Sequence, residues 1–188
     1  SAESGHTVLC NSAGLFEKEL SSHYSMSVGG FMVRGESFLS VDEGEDSCRF
    51  SADILRHAER VARWIRLSEK EARVGEERLP VIFTPNGLAF LLETFEINTN
   101  GKMVQKGASV LAKRVGEKVL GDAVTFIDDP LVDYGAGSMA IDGEGVPARR
   151  NVLFQNGVLQ GFLFDLQTAG MMGVPGTGSG MRGYSASP

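Results

Sequence analysis

Asn151-Val152-Leu153-Phe154-Gln155-Asn156-Gly157-Val158-Leu159 sets two apolar runs on either side of an Asn-Gly pair. Asn and Gly both accept positive φ, so the pair is the favoured two-residue loop of a type I′ hairpin. Phe162-Leu163-Phe164 continues the apolar pattern, and a hairpin is expected over 151–166 with a short helical piece, Asp165 to Met171, at its end. Beyond it lies the glycine-rich run Gly176-Thr177-Gly178-Ser179-Gly180-Met181-Arg182-Gly183. It lacks the Gly-Lys-Ser/Thr of a phosphate-cradling loop. It also lacks the strand, helix and downstream acid of a dinucleotide site, so it reads as a loop lining a cleft.

Upstream of the hairpin the hydrophobic period changes several times. Thr7 to Cys10 is a short strand-like run ending at the turn cluster Asn11-Ser12-Ala13-Gly14. Ser21 to Phe38 alternates loosely, as antiparallel strands would, with bends or bulges expected at Gly29-Gly30 and Gly35. The acidic stretch Asp42 to Asp46 reads as a surface loop. Ile54, Ala58, Val61, Ala62, Ile65 and Ala72 then recur at helical spacing, predicting a helix over 51–73 with Ser51 as N-cap. Leu79 to Phe83 is expected to be a buried strand. Pro85-Asn86-Gly87 leads into a nearly all-apolar second helix that must be covered on most faces. A broken helix is expected over 102–120 and a strand over 123–127. Strands and helices come without regular alternation, so the fold class is α+β, with mixed or antiparallel sheets and a few helices.

Composition narrows the function. The formal net charge is -6, from 24 acidic and 18 basic residues. Arg56, Arg60, Arg63 and Arg66 are interleaved with Glu59 and Glu69 and read as a solvated helix face, so direct nucleic-acid contact is not expected. Two cysteines, Cys10 and Cys48, suit reduced thiols and a cytoplasmic protein. No apolar run is long enough to span a membrane. His6 and Cys10 have i, i+4 spacing, with Cys48 and His57 as remote partners, but no metal site is expected from them. There is no Gly-x-Ser-x-Gly elbow. The carboxylate pairs Asp128-Asp129 and Asp142/Glu144 read as turn formers and caps rather than acid/base groups. No catalytic residue is therefore assigned, and both ends of the chain read as cuts in a longer protein.

Two stretches together resemble the TldD/PmbA family, once named modulators of DNA gyrase. Asp142-Gly143-Glu144-Gly145-Val146-Pro147-Ala148-Arg149-Arg150 followed by the hairpin is similar to the family's acidic-Gly-Val-Pro loop and hairpin. Thr177-Gly178-Ser179-Gly180 with Arg182 resembles its Thr-Gly turn. The resemblance implies a two-domain fold. Residues 1–78 would be the end of an N-terminal α/β part, and 79–188 the start of a β-rich C-terminal part. Members of the TldD half carry His-Glu-x-x-x-His and are zinc peptidases acting on unfolded peptides. Here the matching positions are Glu93, Thr94 and Asn98, so no metal is expected in this chain and zinc only in a TldD-type partner.

The resemblance thus implies a PmbA-type (TldE-like) subunit, silent alone, pairing with a TldD-type subunit or with itself in a peptidase that matures or degrades peptides. Thr177, Gly178, Ser179, Gly180 and Arg182 would border the peptide groove. The alternatives are an independent metallopeptidase using ligands outside this segment, and a non-enzymatic regulator of DNA gyrase.

Overall fold

The computed structural model describes residues 1–51, 53–70, 72 and 74–181. The chain divides into two compact units, one of residues 1–8, 18–80 and 134–136, the other of 9–17, 81–133 and 137 onward. The class is α+β; the described residues form one three-stranded sheet of order β1-β2-β3, a second of order β4-β5-β6, and four helices.

The first sheet contains β1 (Ala2–Cys10), β2 (Phe16–Arg34) and β3 (Ser37–Ser47). β2 and β3 pair antiparallel in unbroken register from Tyr24↔Ser47 to Arg34↔Ser37 around the two-residue loop Gly35-Glu36. The bulges expected at Gly29-Gly30 are absent. Gly30 instead makes room for helix α1 (Ile54–Leu67): a Cβ there would lie 2.6 Å from Ile65 Cδ1 and 3.0 Å from Val61 Cγ1. The helix is shorter than expected at both ends. It is preceded by Asp53, not Ser51, and closes at Ser68, whose N–H donates to the Trp64 carbonyl.

The acidic stretch is not a loop but the middle of β3. Alternation turns Glu43 and Glu45 toward α1 and Asp42 and Asp46 outward. Glu43 is buried and meets Arg60 Nη2 at 3.4 Å; Glu45 meets Nε2 of the buried His57 at 3.4 Å. The period-2 signal was hidden because the inward positions hold carboxylates, acceptable only where a cation or donor faces them.

The second unit is organised by the hairpin of β5 (Asn151–Gln155) and β6 (Val158–Leu159), with β4 (Phe126–Asp128) on the outer side of β5. Asn156 has φ 49° and Gly157 φ 78°, as a type I′ loop demands. Phe154 and Leu159 are fully buried and form the core with Leu111 and Leu153, against which Phe95 packs edge-on to Phe154. Strand β6 is shorter than expected, although Leu163 still bridges to Asn100 in parallel.

Helix α2 (Pro85–Thr99) is capped by Thr84, and α3 (Gly101–Gln105) by Asn100. The broken helix expected over 102–120 is confined to α3. Gly107 and Gly116, at φ 69° and 83°, turn the chain away from the helical region. Helix α4 (Leu166–Met172) has Asp165 as N-cap and Gly173 in the left-handed region as its stop. Leu79 to Phe83 is not a strand: no described strand pairs with it, and Val81 and Ile82 stay exposed. Helix α2 likewise buries only part of its surface, leaving Phe90 and Ile97 exposed.

Candidate functional site

The C-terminal turn of α2 is pinned from two sides. Thr99 is buried, its hydroxyl donating to the Phe95 carbonyl at 2.7 Å. Its carbonyl accepts from Leu163 N, and Gly101 N donates to the Leu163 carbonyl at 2.7 Å. Gly101 is required here, because a Cβ would collide with the Phe164 ring and the Leu163 carbonyl.

Opposite this turn, the glycine-rich loop is braced along its length. Phe164 N donates to Thr177 Oγ1 at 2.8 Å, and the Phe164 carbonyl accepts from Thr177 N at 3.0 Å and from the Thr177 hydroxyl at 3.1 Å. The Arg149 guanidinium donates to the carbonyls of Gly176 and Thr177. Ser179 Oγ and Asn151 Nδ2 both donate to Asp128 Oδ2 at 3.0 Å. Gly180 N donates to Asp142 Oδ2 at 2.8 Å; Asp142 Oδ1 also accepts from Glu144 N and Val146 N. Gly178, at φ 67°, lies against the Pro147 carbonyl where no side chain fits. The loop's polar groups are therefore largely committed to holding its shape.

Between the two lies a cavity of about 500 Å³. Glu96, Thr99 and Asn100 of α2 and its cap border it on one side, Ser179 and Met181 on another. All three residues of β4 also line it. Leu153 of β5 lines it as well.

Of the residues singled out in the sequence, Ser179 lines the cavity, and Thr177, Gly178 and Gly180 shape the loop that carries it. Arg182 lies outside the described residues. Glu93 and Thr94 are exposed on α2, and neither they nor Asn98 line the cavity. Asn98 is committed elsewhere: its Nδ2 donates to the Thr94 carbonyl at 2.8 Å and its Oδ1 accepts from Val110 N at 3.0 Å. Its carbonyl accepts from Ser109 Oγ. Zinc favours imidazole and thiolate donors. Of Glu93, Thr94 and Asn98 only the Glu93 carboxylate is a common zinc donor, and one carboxylate does not make a site for that ion.

Of the paired carboxylates, Asp129 and Asp142 form turns, whereas Asp128 and Glu144 bind residues remote in sequence. Asp129 Oδ1 accepts from Leu131 N, its carboxylate pairs with Arg150, and Glu144 Oε2 accepts from Leu166 N. Sequence reading missed Glu96 and Lys102 as cavity residues. The signal available was the i, i+3, i+4 spacing of Glu96, Thr99 and Asn100 along one side of α2. Both cysteines are free, and no described helix is long and apolar enough to cross a membrane.

The family described as PmbA/TldA metallopeptidase C-terminal domain matches residues 76–188. The chain is similar to an uncharacterised protein of Methanocaldococcus jannaschii, 31% identical over all of this chain and 44% of that protein. It is also similar to a metalloprotease TldD homologue of Buchnera aphidicola, 34% identical over 86% of this chain and 33% of the relative. Among solved structures it resembles TldE of Thermococcus kodakarensis, with a TM-score of 0.88 and 27% identity over 95% of this chain and 41% of that one. The chain thus spans less than half the length of these relatives.

Proposed function

Since this chain belongs to the TldD/PmbA metallopeptidase family, we propose that it is part of a TldE-like subunit, holding no metal itself and acting with a zinc-bearing TldD-type partner on unfolded peptides. The observation that carries this reading is the fate of Asn98. Asn98 brings no imidazole or thiolate, and its amide is turned to the protein, donating to the Thr94 carbonyl and accepting from Val110 N. Without ligands, no water is held and ionised at this helix. What the chain supplies instead is shape. The cavity at the end of α2 is lined by β4, which is an edge strand of its sheet, and at a strand edge an extended peptide can add through main-chain hydrogen bonds. The braced Thr177–Gly180 loop keeps the opposite wall in place.

The names of the relatives divide between TldD and TldE, so the assignment is tested by activity. The full-length protein is assayed with an unstructured peptide alone, with a TldD-type partner, and with both. The expected result is no cleavage alone and chelator-sensitive cleavage by the pair that exceeds that of the partner. Chelator-sensitive cleavage by the protein alone would falsify the reading and favour an independent metallopeptidase.

A further inference from the structure

The cavity bordered by α2, β4 and the glycine-rich loop has a chemical bias. Its volume of about 500 Å³ falls in the range of roughly 300–1,000 Å³ typical of pockets that enclose a ligand. The walls are of two kinds. Phe126, Ile127, Leu153, Leu163 and Met181 supply apolar surface. Among the described lining residues, Glu96, Asp128 and Asp165 supply three carboxylates, against the ammonium of Lys102. Two of these acids are fixed: Asp128 by the donors Asn151 and Ser179, Asp165 by capping α4 through Thr168 N. Glu96 is exposed at the rim. Among the described residues no three acidic, His or Cys side chains come close enough to share a metal ion. The carboxylates are therefore spread around an apolar space, not gathered at a point.

Such a lining disfavours an acidic ligand and is only half used by a purely apolar one. A side chain with a long aliphatic stem and a cationic head uses both parts, the stem against Leu153 and Leu163 and the head among the carboxylates. We propose that this cavity is a side-chain pocket for lysine or arginine of a bound unfolded peptide. The inference rests on the reading above that the cavity holds peptide, and it adds a preference that the reading does not require.

The test uses the full-length protein and fluorescein-labelled unstructured peptides identical except at one central position, occupied by lysine, norleucine or glutamate. Anisotropy titration is expected to show the lysine peptide binding about tenfold tighter than the norleucine peptide, and the glutamate peptide weakest, as expected for partly desolvated charge pairs. Glu96→Gln is expected to cut the lysine-over-norleucine ratio by about threefold or more, whereas Glu93→Gln, on the same helix but off the cavity, leaves that ratio as it was. Equal binding of the three peptides, or equal effects of the two variants, overturns the pocket assignment while leaving peptide binding intact. Failure of the folded protein to bind any of the three overturns the peptide-groove reading itself, and the pocket with it.

Discussion

Asn98 ties helix α2 to the turn after α3. Its amide donates within α2 and accepts from Val110, and its carbonyl takes the Ser109 hydroxyl. The side chain is therefore a latch between α2 and the turn after α3. Asn98→Ala leaves Val110 N without its protein acceptor at a site water can reach, and about 1–2 kcal/mol of stability should be lost. Urea unfolding measures it; an unchanged midpoint would show that the latch contributes nothing. Asn98→His should lose a similar amount, since an imidazole does not reproduce the amide's paired donor and acceptor. A second residue-scale claim concerns Gly157. With φ 78° and the Leu120 carbonyl where a Cβ would sit, Gly157→Ala combines left-handed strain with collision. A loss of more than about 2 kcal/mol is expected by thermal denaturation.

At the scale of elements, the sequence declared those parts whose signal is local. The type I′ hairpin was legible because Asn156-Gly157 specifies its own backbone. Helix α4 was legible through Asp165 and the glycine-rich residues after it. Strand β3 was not, because Glu43 and Glu45 face inward and apolar alternation fails where partners are charged. Their role becomes visible only beside Arg60 and His57. Arg60→Met keeps the aliphatic stem but strands the buried Glu43 carboxylate. It should cost about 1–2 kcal/mol, less than a fully enclosed pair because Arg60 is half exposed. Restoring stability with the added change Glu43→Gln would confirm that the carboxylate is the source; no recovery would locate the loss in packing. Leu79 to Phe83 was misread for the opposite reason. Its composition suits a buried strand, yet a strand forms only where an edge pairs with it, and no described strand does so. The cavity was partly legible: the Thr177–Gly180 loop was expected to line a cleft, but its opposite wall depends on Leu163 bridging to Asn100, a contact no local pattern announces.

For the whole molecule, membership of the TldD/PmbA family fixes the ancestry, while this chain covers less than half the length of its relatives. Activity is therefore a question for the full-length protein, and the present chain speaks to one part of it: whether α2 can carry a metal. On the proposed reading, its acidic balance and its braced loop suit a surface that receives a peptide. The most direct test is the zinc content of the full-length protein, by elemental analysis after equilibration with excess zinc and removal of loosely held ion. The account predicts a ratio far below one zinc per chain, unaltered by Glu93→Gln or Asn98→Ala. One tightly held zinc per chain, lost when either residue is changed, would contradict it.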